Sequence, residues 1–356
     1  VGSTSSLNSL STFDPTGFDD GNDRFPRFPN RNDCADAGFC TLAEEKANFE
    51  NYYAWYRTRG YAMKASIGKV MSEADQNLRV GFAGSNGNNN DVELRNLNAS
   101  QGASTQINLL LKGLYERSYQ GNSQFYDAFD KSGRYLACQK TNVMNVAGGG
   151  DPTDGDSFNS PGCPALPAPQ GTCQQNYILL VTDGGMEGVA RGGEQDGDNN
   201  TDFDGGMFAG CAGCSDNLAD IAMYYYEQDL FDGTKEGRAD ATMALTDDVV
   251  PLQRDLDFAP AGTISNNAMH QHVKTFVVAF GIDSGLTNVP AAYSANAYDW
   301  GTSGDATFKI KDLHHAAING RGAYLDAQNP SELTTALEQA FNEFSSGIGA
   351  GSAVSF

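Results

Sequence analysis

The stretch Asn176-Tyr-Ile-Leu-Leu-Val-Thr-Asp-Gly-Gly185 decides the fold. Tyr177 to Val181 form an unbroken apolar run, too short for a helix and suited to a strand buried on both faces. The run stops at Thr182-Asp183-Gly184-Gly185, where two glycines let the backbone turn sharply at the strand's carboxyl end. In an open α/β sheet ligands bind at that edge. Asp183 there is either a metal ligand or polar anchor, or a cap for the next turn.

Outward from this run the same signal recurs. Lys274 to Ile282 holds Phe276-Val-Val-Ala-Phe280, a second apolar strand, and Gly322-Ala-Tyr-Leu-Asp326 is a short third. Leu78-Val80-Phe82 and Val92-Leu94 alternate around an Asn/Gly-rich turn and predict a hairpin. Thr41 opens a capping box with Glu44, predicting a long helix to about Ala74 with Phe49, Tyr52, Tyr56, Met63, Ile67 and Val70 inward. Further helices are expected around Ile107–Leu114, from near Ser123 through Phe129, over Asp216–Asp229, and from Asn329-Pro330-Ser-Glu332 onward. The last should bury Leu333, Leu337, Phe341 and Phe344.

Strands interleaved with helices predict an α/β fold: a doubly wound, mostly parallel sheet with helices on both faces. Its strands should fall near 78–82, 92–95, 177–182, 275–281 and 323–326, the two apolar runs being central. Residues 1–40 are Ser/Asp/Gly/Pro-rich and read as irregular. Residues 41–344 form the domain, with inserted loops at about 138–173 and 186–215. Residues 345–356 are Gly/Ser/Ala-rich and read as a linker.

Composition narrows the function classes. The chain has 356 residues, 40% of them hydrophobic, with 23 basic against 45 acidic residues and a net charge of −22. That balance argues against nucleic-acid binding, which needs Lys and Arg for phosphates. It suits exposure to divalent cations, for which clustered carboxylates are hard oxygen ligands, and equally the solubility of a secreted protein. No apolar run approaches the ~18 residues of a membrane span. The start at Val1 rather than methionine fits removal of an export signal.

The cysteines are Cys34, Cys40, Cys138, Cys163, Cys173, Cys211 and Cys214. Local pairing predicts Cys34–Cys40, Cys163–Cys173 and Cys211–Cys214 disulfides in an oxidising compartment, with Cys138 left over or partnering one of the others. Zinc is the rival at Cys211-Ala-Gly-Cys214. That motif has no second Cys-x-x-Cys, and His270, His272, His314 and His315 lack ligand spacing.

Two constellations carry chemistry. Ser123, in Gly121-Asn122-Ser123 at a helix start, and Asp183 at a strand end are a hydroxyl and a carboxylate that together suit a divalent cation, Ca²⁺ or Mg²⁺. Ser123 is otherwise a helix cap. The second is Asp196-Gly-Asp198-Asn-Asn200-Thr-Asp202-Phe-Asp204. Its oxygen-bearing side chains at alternate positions resemble the first nine positions of an EF-hand-type Ca²⁺ loop, although Thr201 stands in place of the turn glycine and Met207 in place of the bidentate Glu. The other reading is a solvated acidic loop.

Several segments resemble a known family. They are Phe49-Glu-Asn-Tyr-Tyr-Ala-Trp-Tyr-Arg-Thr-Arg59, Leu78-Arg-Val-Gly81, Asn176 to Gly184, Leu218-Ala-Asp-Ile-Ala-Met-Tyr-Tyr-Tyr226, Thr275-Phe-Val-Val-Ala-Phe-Gly281 and Asp312-Leu-His-His-Ala-Ala-Ile-Asn-Gly-Arg-Gly-Ala-Tyr324. From about Glu45 onward the chain resembles the N-terminal region of the type IV pilus tip adhesin and assembly factors of the PilC/PilY type, which contains a von Willebrand factor A-like domain. The resemblance implies a secreted adhesion module at the pilus tip. Its implied partners are minor pilins, a host or abiotic surface ligand, and the family's C-terminal β-propeller, which would follow Phe356. Ser123 matches the Thr position of the A-domain metal-ion-dependent adhesion site, and Asp183 matches its Asp. The Asp-x-Ser-x-Ser strand of that site has no counterpart, since Val1-Gly-Ser-Thr-Ser-Ser6 carries no acid. Two functional classes follow: an extracellular binding module, or a metal-dependent hydrolase using Asp183 as ligand. The hydrolase is disfavoured by the lack of HExxH, G-x-S-x-G and P-loop motifs.

Overall fold

In the computed structural model the described residues are 24–27, 29, 31–85, 91–117, 124–138, 164–166, 171, 174–184, 206–208, 217–227, 229–230, 271–283, 285–286, 289, 298–302, 307–346 and 353–355. The chain divides into two compact units, Val1–Ala62 and Met63–Phe356.

In the first unit, β1 (Arg24–Pro26) pairs antiparallel with β2 (Phe39–Thr41), with Phe25 opposite Cys40. The Cys34–Cys40 disulfide closes the intervening loop, as local pairing predicts. This ribbon lies within the stretch read as irregular, because strands of three residues are too short to display a period of two. Arg31 ties the loop to the next helix, reaching Asp33 at 2.7 Å and Glu45 at 2.6 Å.

Helix α1 (Leu42–Trp55) begins with the expected capping box. The Thr41 hydroxyl accepts from Glu44 N at 3.3 Å, and the Glu44 carboxylate accepts from Thr41 N at 2.7 Å. The single long helix is corrected: the chain breaks at residues 56–58, and α2 (Arg59–Glu73) starts afresh. Thr58 supplies the new cap, its hydroxyl accepting from Tyr61 N at 3.2 Å. The expected apolar face splits with the helix. Ile67 and Val70 of α2 are buried, whereas Phe49, Tyr52 and Tyr56 are 42%, 54% and 39% exposed. Phe49 stacks on Tyr53 instead, and the Arg57 guanidinium lies over the Tyr53 and Tyr61 rings.

The second unit is built on one six-stranded sheet. Its strands are β3 (Arg79–Phe82), β4 (Val92–Asn96), β7 (Asn176–Thr182), β8 (Val273–Phe280), β9 (Arg321–Ala327) and β10 (Ala353–Ser355), in the order β4-β3-β10-β7-β8-β9. A separate small ribbon joins β5 (Ser100–Gln101) to β6 (Ser104–Thr105). All neighbours in the large sheet run parallel except the β3–β4 hairpin at one edge. Each of the five expected strands is present, and the two apolar runs lie inside the sheet. β10 falls in the stretch read as a linker. Small residues conceal it in the sequence, and backbone pairing with Arg79–Gly81 on one side and Asn176–Ile178 on the other makes it a strand.

Alternation along β7 sends side chains to two cores. Ile178 and Leu180, with Val277 of β8, join a cluster formed with α4 (Phe125–Leu136), α5 (Leu218–Glu227) and α6 (Phe308–Asn319). Tyr177 and Phe276 point the other way, onto Phe344 of α7 (Pro330–Ser346) at ring distances of 4.8 and 5.0 Å. The four apolar residues expected in α7 are buried there. Its start is capped by Asn329, whose side chain accepts from Ser331 N and Glu332 N at 3.0 Å. Helix α3 (Gln106–Glu116) packs on the hairpin side, where Gln106 donates to Val80 O at 2.8 Å. Helix α6 was not read from sequence, because its two histidines and Asp312 interrupt the apolar pattern.

The α6–β9 connection requires glycine. A Cβ on Gly320 would sit 2.4 Å from Thr275 Cβ, and one on Gly322 would sit 2.0 Å from the Thr275 carbonyl oxygen. Because the second clash is with backbone, Gly322→Ala is expected to destabilise the unit by about 1–3 kcal/mol. A urea denaturation series checks this, with Gly102→Ala, which meets no atom but carries the backbone strain of φ +62°, as the comparison.

Candidate functional site

Since β3, β10, β7, β8 and β9 are parallel, their carboxyl ends share one edge of the sheet. Asp183 lies on it directly after β7, exposed, and among the described residues it has no hydrogen-bond or ion-pair partner. Gly184 follows at φ +94° and its N–H donates to the Thr182 hydroxyl at 3.1 Å, so the turn is made as the sequence predicts. Beyond β8, Gly281 adopts φ +67° and its N–H donates to Ala327 O at 2.7 Å. Asp283 then accepts from Gly285 N at 2.9 Å. Gln328 bridges Asp326 of β9 at 2.7 Å to Ile282 O at 3.3 Å. Three acids, Asp183, Asp283 and Asp326, thus mark the ends of consecutive strands.

The start of α4 arrives at the same edge, where Gln124 N donates to Ser85 O just past β3 at 2.6 Å. Ser123 itself lies outside the described residues, as do Asp196, Asp198, Asn200, Asp202 and Asp204. The approach to this edge is held by charge. Arg117, after α3, pairs with Asp91 at 3.2 Å, both side chains about one-tenth exposed, at 9% and 10%. Asp91 also accepts from Gly84 N at 3.1 Å, and the Arg117 guanidinium occupies the space a Gly84 side chain would need. Lys64 caps the carboxyl end of α3, donating to Tyr115 O at 2.9 Å and Arg117 O at 2.6 Å. Burial lowers its ammonium pKa, and the nearby Arg117 charge adds to the shift.

The histidines of the 312–324 segment serve packing, as their lack of ligand spacing suggests. His315 stacks on Trp300 at 4.2 Å and is driven by burial down to a pKa of about 3. His314 stacks on Tyr324 at 4.2 Å, and burial takes it to about 4. Both rings are therefore neutral near pH 7. Arg321 holds the left-handed φ of 51° with its guanidinium 3.6 Å above Phe208 and 4.5 Å from Tyr226. His272 packs edge-on against Tyr226. His270, Cys163, Cys173, Cys211 and Cys214 lie outside the described residues. Cys138 is disulfide-bonded rather than left over.

One polar group went unnoticed in the sequence. Asp312 on α6 is buried, and its carboxylate accepts from Leu218 N at 2.9 Å, Ala219 N at 3.1 Å and the Tyr126 hydroxyl at 3.3 Å. Burial pushes its carboxyl up to a pKa of about 7, against the lowering effect of the two backbone donors.

Comparison with known proteins bears on what this edge serves. The chain is 25% identical over 336 residues to the type IV pilus biogenesis factor PilY1 of Pseudomonas aeruginosa PAO1, a match covering 85% of this chain and 26% of the relative. The chain is a relative of the PilY1-type pilus factors. PilY1 of strain UCBPP-PA14 is 23% identical over 327 residues, covering 84% of this chain. The chain spans about a quarter of the length of these curated PilY1 relatives, 26% and 25%. No family model matches the chain, and no solved structure matches it.

The geometry makes the Arg117–Asp91 pair the anchor of the β3 side of the edge. Breaking a buried pair strands a charge, so Asp91→Asn is expected to cost about 3 kcal/mol, against less than about 1 kcal/mol for the more accessible, half-buried Arg95–Glu93 pair. Denaturant midpoints of the two single variants test this ordering.

Proposed function

We propose that this chain is the von Willebrand factor A-like region of a pilus-associated adhesin, a non-enzymatic binding module that acts at the pilus tip and supports pilus assembly and surface attachment. The observation that carries the reading is the likeness to type IV pilus biogenesis factors, which runs through 85% of the chain. The sheet agrees with it. Strand order runs outward in both directions from the β10–β7 pair, with one antiparallel edge strand, and Asp183 stands at that reversal on the carboxyl edge. Open α/β sheets bind ligands at such a point. Minor pilins and a host or abiotic surface are the partners that the resemblance to the PilC/PilY family implies, together with that family's C-terminal β-propeller.

The hydrolase reading has less support. The relatives carry the name of pilus factors, and Asp183 has no described group within hydrogen-bonding distance to act as a base or nucleophile.

Cation binding belongs to the same proposal. Asp196, Asp198, Asn200, Asp202 and Asp204 place four carboxylates within nine residues, in a chain of net charge −22, and such acids repel one another unless a cation neutralises them. Ca²⁺ is the ion that set suits. Ser123 and Asp183 form the weaker pair, suited to Ca²⁺ or Mg²⁺.

Two experiments test the proposal. Deleting the coding sequence for residues 63–346 from the full-length gene should reduce surface piliation and attachment, and unchanged levels of both would refute the pilus role. Ca²⁺ should raise the thermal midpoint of the purified chain. Replacing Asp198→Asn and Asp202→Asn together should remove most of that gain, and Asp183→Asn should leave it. If calorimetry detects no Ca²⁺ binding, or only the Asp183 change abolishes it, the 196–204 assignment fails.

A further inference from the structure

Helix α1 contains no buried residue. Its sequence, Leu42-Ala-Glu-Glu-Lys-Ala-Asn-Phe-Glu-Asn-Tyr-Tyr-Ala-Trp55, carries four aromatic residues and two asparagines, none of them a strong helix former. A 14-residue helix of that kind is marginal in water unless something outside it holds it. Its first turn is held by the loop that the Cys34–Cys40 disulfide closes. The Glu44 carboxylate, besides completing the capping box, accepts from Ala35 N inside that loop at 2.8 Å. Glu45 pairs with Arg31, just ahead of the loop, at 2.6 Å. A carboxylate oxygen of Glu45 and the two sulfurs lie within 4.8 Å of one another. Arg27 fixes the same loop from the β1 side, donating to Arg31 O at 2.7 Å and Asp36 O at 2.8 Å. Cys40 itself directly precedes Thr41, the cap of α1.

We propose that the Cys34–Cys40 bridge is a redox latch on α1: the helix stays wound while the bridge is closed, and frays from its start when a dithiol reductant opens it. The reductant's thiolate attacks Cys34 Sγ, the more accessible sulfur, since Cys34 is 7% exposed and Cys40 0%. The Sγ–Sγ bond breaks, a mixed disulfide forms on Cys34, and Cys40 leaves as a thiolate that takes up a proton. The reductant's second thiolate then displaces Cys34, which is protonated in turn. The chain has gained two electrons and two protons, and the reductant leaves as its own disulfide. Closing so short a loop favours its ordered form by about fifty-fold. Without the bridge, Ala35 and Arg31 are no longer held against Glu44 and Glu45, and the cap residue is released with Cys40. The latch controls a surface. Phe49, Tyr52 and Tyr56 are exposed at spacings of three and four residues, so they share one face only while α1 is wound.

Amide hydrogen exchange across residues 46–55 reads the latch. In the full chain titrated with dithiothreitol, protection there should fall at least tenfold, in step with alkylation of Cys34 and Cys40 followed by mass spectrometry. Cys34→Ser combined with Cys40→Ser leaves the Cys138 disulfide in place. That double variant should show the low α1 protection without reductant, while Leu179 and Val277 in the sheet keep theirs. Arg31→Ala, which keeps the bridge, should lower α1 protection by less. Unchanged α1 protection once both cysteines are alkylated would overturn the proposal, and so would a bridge that the dithiol leaves closed in the folded chain.

Discussion

The pairing of β7 with β8 is the constraint on which the second unit rests. Seven residues of each strand lie in unbroken parallel register, from Asn176 beside Val273 to Thr182 beside Ala279. Their side chains are almost entirely buried on both faces, and each large apolar one contributes roughly 1.5–3 kcal/mol by leaving water. Such a pair has to be covered twice, by α4, α5 and α6 on one side and by α7 on the other. Parallel direction also collects the strand ends on one edge, so the placement of Asp183 follows from the same interaction.

The segment from Asp312 to Gly322 shows how much specificity a purely structural role demands. Asp312 binds the start of α5, Asn319 donates to Ala219 O at 3.2 Å, and His314 and His315 fill flat spaces against Tyr324 and Trp300. Gly320 and Gly322 allow the chain to pass against Thr275, and Arg321 between them is held by two aromatic rings. Histidine, arginine and aspartate within eleven residues suggest chemistry when read in a line. Here burial leaves the histidines neutral and turns the arginine into a packing group.

Acidity is distributed in two ways, with different consequences. Asp183, Asp283 and Asp326 stand at the sheet edge, where water screens them and a cation or polar partner has access. Asp91, Asp130 and Asp312 lie inside, and each is answered locally. Asp91 is met by Arg117, Asp130 by Arg134 and the Tyr225 hydroxyl at 2.7 Å each, and Asp312 by backbone donors and a phenol. Asp312 has no cation among its printed partners, and burial raises its carboxyl pKa.

Local sequence determined the features that depend on neighbours along the chain. The apolar runs at 177 and 276 specified buried strands, Thr41 with Glu44 specified a helix start, Asn329-Pro330 specified another, and Asp183-Gly184 specified the turn at the sheet edge. Each is encoded within a few residues by burial period, capping or backbone freedom. Tertiary structure decided whatever depends on residues far apart. It left Phe49 and Tyr52 exposed, and it made a strand of Ala353–Ser355 through two neighbours more than 170 positions away. It also set a carboxylate on α6 against the first turn of α5, 94 residues distant. No periodicity announces such contacts, because the hydrogen bonds and desolvation that define them exist only once the chain has closed on itself.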